Sequence, residues 1–267
     1  MGYKFLELKI EDTIGTLALA RTESLNALSL EFAAEIASAV RELSEMDKVR
    51  AVILKSNAHI FCAGLDLKDF ASKGFDATPK SSLDFPEKLH VLFDCCNVLE
   101  ECQKPIIAAI HGKCVGGGLD IIAACDIRLC THDATFSLKE ASIGLVADMG
   151  VLQRLPLIIG QGFAREMAYT ARFFSAKEVE RMGLVNGIYA DKGVLMKEAK
   201  KLAAQIAENA PLAVQQTKKV LNYSRNATVE DGMSMAMQKN MVLLFSQDVR
   251  EAMAAFMEKR KPHFHGR

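Results

Sequence analysis

The stretch KPIIAAIHGKCVGGGLDIIAACDIRLC, residues 104–130, sets the architecture of this chain. It opens on PIIAAI, an apolar run of strand length, and breaks at His111-Gly112. Three consecutive glycines then lead into the apolar helical run LDIIAAC, and DIRLC follows as a second strand. Strands alternating with helices predict an α/β fold. The glycines allow a tight turn and a close approach of backbone to ligand. They also leave unpaired N–H groups at a helix start, where the macrodipole favours negative charge. The loop is not GxGxxG, since position 121 is Ile, and no GK[ST] follows to make a P-loop. No GxSxG elbow occurs in the chain, which disfavours a hydrolase of that kind.

On the N-terminal side, KFLELKI alternates, with Leu6, Leu8 and Ile10 on one face, and TLALA after a turn completes a hairpin signal. NALS (26–29) then introduces a helix with Ser29 as its N-cap and Ile36, Val40 and Leu43 as its apolar stripe. RAVILKS reads as a buried strand and NAHIFCAGLDL as a connection. Phe70 to Pro86, rich in Ser, Lys, Asp and Pro, reads as a mobile loop ahead of a helix over about 87–102. On the C-terminal side, ATFSL is a strand, Ser175 and Glu178 form a capping box, and Gly183 closes that helix. From Lys192 the pattern is helical throughout, with Pro211 suited to a first helical position. The expected organisation is an α/β body over residues 1–200 and a helical region over 201–267. Met233, Met237, Met241 and Leu244 recur at helical spacing, as do Val249, Met253 and Phe256. Such a tail has little body of its own to bury against, so self-association is expected.

Composition narrows the partners. The 33 basic and 33 acidic residues cancel, leaving no electrostatic footprint for nucleic acid or an anionic membrane. The seven cysteines lack CxxC spacing and several lie in apolar runs, which predicts buried thiols in a reducing compartment, the cytoplasm first and an organelle second. The N-terminus lacks a secretory h-region, and no apolar run reaches the ~18 residues of a membrane span. His59, His90, His111 and His132 lack metal-ligand spacing and read as loop or surface residues, and His263 and His265 as a frayed tail. No metal site is expected.

Chemistry is expected where carboxylates meet apolar surroundings. SLKEASIGLVADMGVL (137–152) reads as core except for Glu140 and Asp148, and a buried ionised carboxylate costs several kcal/mol unless it is paired or its pKa shifts. Asp120 opens the otherwise apolar helix after the glycines, a position that favours a dipole-stabilised carboxylate. In FCAGLDL (61–67), small residues flank a glycine and Leu65 offers a backbone N–H. One amide here and one from the glycine triplet can hold a single oxyanion, while the acids move protons on carbon. The pattern is that of an enolate-forming site.

These motifs, NALS, FCAGLDLKDF (61–70), residues 104–130, LQRLP (152–156) and FSAKEVERMGLV (174–185), are ordered and spaced as in the enoyl-CoA hydratase/isomerase (crotonase) superfamily, which the chain resembles along nearly its whole length. The resemblance implies a spiral of ββα units with a C-terminal helical trimerisation region, assembled as a homotrimer or as a hexamer of two trimers. It implies an acyl-CoA thioester substrate and no separate cofactor. The oxyanion-hole amides fall on Leu65 and Gly117, and acyl-CoA contacts on the backbone of Ala63, Gly64, Leu65, Asp66, Leu67, Lys68 and Gly118. Lys68, Lys259 and Arg260 otherwise read as solvated charge. Hydratases carry glutamates at the positions of Asp120 and Glu140 and glycine at that of Asp148. Three acids at these positions resemble the Δ3,5-Δ2,4-dienoyl-CoA isomerases, which implies catalytic roles for Asp120, Glu140 and Asp148 in a 1,5 proton shift of fatty acid β-oxidation. The rival readings are 2-enoyl-CoA hydratase, Δ3-Δ2-enoyl-CoA isomerase, an RNA-binding member and a catalytically silent scaffold. The net-acidic first helix speaks against RNA binding.

Overall fold

The computed structural model describes residues 2–72 and 79–267. The alternating N-terminus pairs as an antiparallel hairpin, β1 (Leu6–Glu11) with β2 (Ile14–Leu19). Ser29 caps α1 (Leu30–Glu45) by accepting the Phe32 amide at 3.2 Å, and the predicted stripe of α1 is buried. β3 (Ala51–Ser56) leads through α2 (Leu67–Ser72) and α3 (Pro79–Glu101) to β4 (Ile106–Ile110). Then come β5 (Lys113–Val115), α4 (Gly117–Ala124), β6 (Ile127–Thr131) and β7 (Thr135–Ser137). The chain continues as α5 (Val151–Thr170), β8 (Phe174–Ser175), α6 (Ala176–Met182) and β9 (Gly187–Tyr189). It closes with α7 (Lys192–Ala207), α8 (Pro211–Ser224), α9 (Val229–Leu243) and α10 (Gln247–Glu258).

Six strands form one sheet in the order β1-β2-β3-β4-β6-β9, parallel after the first pair. β5, β7 and β8 form a second, smaller sheet. Each turn of the chain thus leaves the large sheet, touches the small one or a connecting loop, and returns through a helix. All eight residues of α4 are buried, which is why its sequence is apolar all round. One core lies among α1, α3, α4, α5 and the sheet face carrying Leu54, Ile106 and Cys130. The opposite face, with Ile53, Ile107 and Leu129, is covered by Leu195, Ala199 and Ala203 of α7. Burying a leucine such as Leu195 contributes about 1.5–3 kcal/mol.

Five local expectations change. α3 begins at Pro79, well before residue 87, with Pro86 inside it; PKSSLDFP has no apolar stripe, so periodicity is silent there. The expected mobile loop over 70–86 is therefore α2 at one end and α3 at the other, and its residues 73–78 lie outside the described residues. β5, too short to show alternation, is an addition. The tail is tied down, not frayed: Asp248 accepts the His265 and Gly266 amides at 2.8 and 2.9 Å, and Arg50 donates to the Phe264 carbonyl. His111 is buried, with Nε2 2.8 Å from the Ala58 carbonyl, because it sits where β4 enters the interior.

The capping box at Ser175 and the left-handed Gly183 close α6 as expected, and all seven cysteines are buried. The methionine stripe of α9 faces outward, Met233 being 68% exposed, and Phe256 of α10 is 83% exposed. The link from these helices to the body is polar. Lys218 of α8, 6% exposed, donates to Asp126 at 2.7 Å and to the carbonyls of Leu99 and Lys104 at 3.2 Å. Removing one partner of such a pair strands the other, at about 3–5 kcal/mol. Lys218→Ala should lose about that much in urea unfolding at fixed protein concentration; a loss under 1 kcal/mol would show that α8 is held by its apolar contacts alone.

Candidate active site

The NALS segment holds the first loop of the site. The Leu28 amide donates to the Gly64 carbonyl at 2.7 Å, and the Asp66 amide to the Leu28 carbonyl at 2.9 Å. The side chain of Asn26, fully buried, donates to Ser56 Oγ at 2.8 Å and to the Phe61 carbonyl at 3.0 Å. Motif spacing alone hid this role of Asn26; a polar residue between apolar neighbours was the available signal. The second loop approaches from β5. Gly116 has φ +50, and a Cβ there would stand 2.9 Å from Glu140 Oε1 and 3.7 Å from Gly64 Cα. Only glycine lets the two loops and Glu140 meet at this point.

Among the described residues, the Leu65 and Gly117 amides donate to no protein group; Gly117 is the first residue of α4 and has no intrahelical partner. Both residues line one cavity of about 350 Å³, walled largely by apolar side chains that include Leu89, Leu92 and Val146. Asp120, Glu140 and Asp148 line the same cavity. Ala63, Gly64 and Leu67 do as well, whereas Gly118, Asp66 and Lys68 do not. Asp66 is occupied elsewhere: its carboxylate pairs with Arg21 at 2.7 Å and caps α2 by accepting the Lys68 and Asp69 amides. Lys68 is exposed.

The three acids differ in solvation. Asp120, 1% exposed, accepts the Val151 amide at 2.8 Å through Oδ1. Burial pushes its carboxyl up to about 7, against that hydrogen bond and with help from the nearby Glu140 and Asp148 charges. Desolvation therefore outweighs the helix dipole expected to stabilise its charge. Glu140 sits in the turn after β7, with Oε2 buried and unpartnered, and burial likewise raises its pKa. Asp148 was expected to be buried and is exposed. The apolar residues around it, Ile143, Leu145 and Val146, are wall rather than core, because residues 144–150 run irregularly past the cavity mouth. Partial desolvation still raises the Asp148 pKa. Among the described residues no group of three His, Cys, Asp or Glu is placed to hold a metal ion, and no helix is long and apolar enough to cross a membrane.

The displaced titration of Asp120 is measurable as stability. Its folded pKa of about 7 exceeds the ordinary 3.8, so the unfolded chain binds fewer protons between those values. The stabilisation is complete below about 3.8 and is lost as pH rises toward 7. Asp120→Asn keeps an acceptor for Val151 and never ionises. Its melting temperature relative to the parent should therefore be higher at pH 8 than at pH 5; an equal difference at both pH values would show that Asp120 titrates normally.

Similarity to known proteins agrees with this geometry. A family model described as enoyl-CoA hydratase/isomerase matches residues 9–267. The chain is 40% identical over 271 residues to the peroxisomal Δ3,5-Δ2,4-dienoyl-CoA isomerase of Arabidopsis thaliana, covering 98% of each. It is 39% identical over 268 residues to the mitochondrial Δ3,5-Δ2,4-dienoyl-CoA isomerase of Dictyostelium discoideum, covering 98% of this chain and 92% of that one. The crystal structure of an enoyl-CoA hydratase from Bacillus anthracis superposes with a TM-score of 0.92 at 29% identity, over 99% of this chain and 100% of that one. The chain belongs to the enoyl-CoA hydratase/isomerase family and has its crotonase fold.

Proposed function

We propose that this protein is a Δ3,5-Δ2,4-dienoyl-CoA isomerase acting on fatty acyl-CoA thioesters. The observation that carries the reading is the convergence of three carboxyls, Asp120, Glu140 and Asp148, on one apolar cavity that also presents two unpartnered amides. The names of the Arabidopsis and Dictyostelium relatives support it. In this reading the thioester oxygen rests against the Leu65 and Gly117 amides, which stabilise a dienolate. Glu140, ionised, removes a proton from C2, and the charge spreads over the conjugated carbons and the oxygen. Asp148, protonated, delivers a proton to C6, so the 3,5-diene becomes a 2,4-diene. One proton enters the acids and one leaves, and their total charge is unchanged. Asp120, protonated below about 7, limits the number of charges that the cavity must hold. The backbone of Ala63, Gly64, Leu65 and Leu67, which line the cavity, would take the rest of the acyl-CoA.

A hydratase needs a second ionised glutamate to activate water at the position of Asp120. Asp120 is shorter by one methylene and already holds the Val151 amide. The diagnostic assay offers 3,5-dienoyl-CoA and crotonyl-CoA side by side. The conjugated 2,4-dienoyl chromophore should form from the first, with little hydration of the second. Asp148→Asn should lower isomerisation by roughly 10²–10⁴-fold, as for a lost general acid, with acyl-CoA affinity nearly unchanged. Full turnover in that variant would sink the isomerase reading.

The helices beyond residue 200 complete the proposal as an assembly region. Met233, Met237, Met241, Met253 and Phe256 leave apolar surface in water that a single chain does not cover. Light scattering should give the mass of a homotrimer or of a hexamer; a stable monomer at micromolar concentration would defeat this assignment. The buried thiols and the peroxisomal and mitochondrial names of the relatives fit a reducing compartment of fatty acid oxidation.

A further inference from the structure

The turn that carries Asp148 has little structure of its own. It follows an irregular segment, and Gly150, at φ +105, ends it at the start of α5. Two side chains hold it. One is Asp120, through the Val151 amide. The other is Arg154, whose guanidinium lies across the turn. Its Nη1 stands 2.0 Å from where a Cβ on Gly150 would be and 3.4 Å from the Met149 carbonyl. No residue but glycine leaves room for it.

Arg154 is itself fixed. Nε and Nη2 meet Glu100 Oε2 at 2.7 and 2.6 Å, and Nη2 donates to Asn97 Oδ1 at 2.8 Å. Glu100 is braced in turn by Arg225, just past α8, and its carbonyl accepts from Asn222 at 3.0 Å. The Arg154 side chain is only 11% exposed, so this fork is a packed element and not a loose surface pair. It lines a second cavity of about 440 Å³ that shares Asp148 and Met149 with the first.

We infer that Arg154 is a positioning residue for Asp148: anchored by Glu100 and Asn97, it fixes the turn 148–150 and keeps a cation beside the acids. The inference rests on the reading of Asp148 as the proton carrier. The charged and titratable groups around the turn, among the described residues, are Glu100 and Cys96 on α3, Asp120 on α4, Lys139 and Glu140 after β7, Arg154 on α5 and Arg225. Against Arg154, Arg225 and Lys139 stands Glu100, so positive charge is left over facing the three acids. That charge opposes the upward displacement of the Asp120 titration. The guanidinium geometry and its charge are separable by substitution.

The experiment compares Arg154→Lys, Arg154→Gln, Asp148→Asn and the double variant Asp148→Asn/Arg154→Gln, assayed with 3,5-dienoyl-CoA across pH. Both Arg154 variants should lose kcat by about 10²-fold, the cost of a misplaced reacting group, with KM within about twofold. In Arg154→Gln the limb of the pH–rate profile set by Asp120 should move to higher pH, because the cation that favours its ionised form is gone; in Arg154→Lys it should stay. Adding Arg154→Gln to Asp148→Asn should cost little more, since both act on one step. If Arg154→Gln does not fold, Glu100→Gln, which frees the guanidinium but retains it, should show a smaller kcat loss with the same non-additivity. Normal kcat in the Arg154 variants with an inactive Asp148→Asn overturns the inference alone. A lowered melting temperature with an unmoved pH limb and additive losses overturns it in favour of a structural arginine. An active Asp148→Asn overturns the proton-carrier reading instead.

Discussion

A single hydrogen bond fixes one half of the site against the other. The Val151 amide, an orphan donor at the start of α5, is satisfied by Asp120 Oδ1 from the first turn of α4. α4 presents the Gly117 amide, and the residues just before Val151 present Asp148. The bond therefore fixes the distance between the proposed oxyanion donors and the far acid. It also explains why this position carries a carboxyl group at all in a helix otherwise wholly apolar. An apolar residue there would pack as well but would leave a buried N–H unpartnered, at a cost of about 1–3 kcal/mol.

That bond is made under strong desolvation, and the outcome is decided by magnitudes. One accepted backbone bond and the start of a helix both favour the ionised form. Burial and two neighbouring carboxyls oppose it, and they win by enough to hold the group near 7. The acids thus form a graded set: Asp120 enclosed, Glu140 half-buried with one oxygen unpartnered, Asp148 open to water. Groups so close titrate together, but unequal solvation sets which of them holds the proton first. Proton transfer at neutral pH needs one acid and one base, and in the proposed isomerisation three coupled carboxyls that share a proton supply them.

The sequence already showed the strand–glycine–helix unit, the Ser29 and Ser175 caps, the stripe of α1 and the helical C-terminal region, because each rests on local chemistry that periodicity or capping reveals. The three acids could be picked out as polar residues in apolar runs. Their solvation could not, since the same apolar neighbours serve as core around Asp120 and as cavity wall around Asp148. The early start of α3 was hidden because PKSSLDFP has no stripe, and β5 because three residues cannot show alternation. The pairing of Asp66 with Arg21, and of Arg154 with Glu100, joins residues 45 and 54 positions apart, which no local pattern encodes.

The crotonase spiral places the parts of its site on successive turns of chain. Residues 63–65 follow β3, Gly117 follows β5, Glu140 follows β7, and Asp148 precedes α5. Gly117 and Glu140 follow short strands of the smaller sheet, while Asp148 stands in the turn before a helix. Donors must already point at the developing oxyanion, because reorienting them during reaction would cost what their dipoles return. An acid that serves the far end of a conjugated chain has a different requirement: from C2 to C6 it must stand at the distance set by three intervening carbons. Moving the acid from one turn to another changes which carbon it reaches while the amides stay put. In the proposed isomerase reading, one further carboxyl at Asp148 extends proton transfer to a farther carbon, and residues 148–150, braced from behind by Arg154, are where this chain carries it.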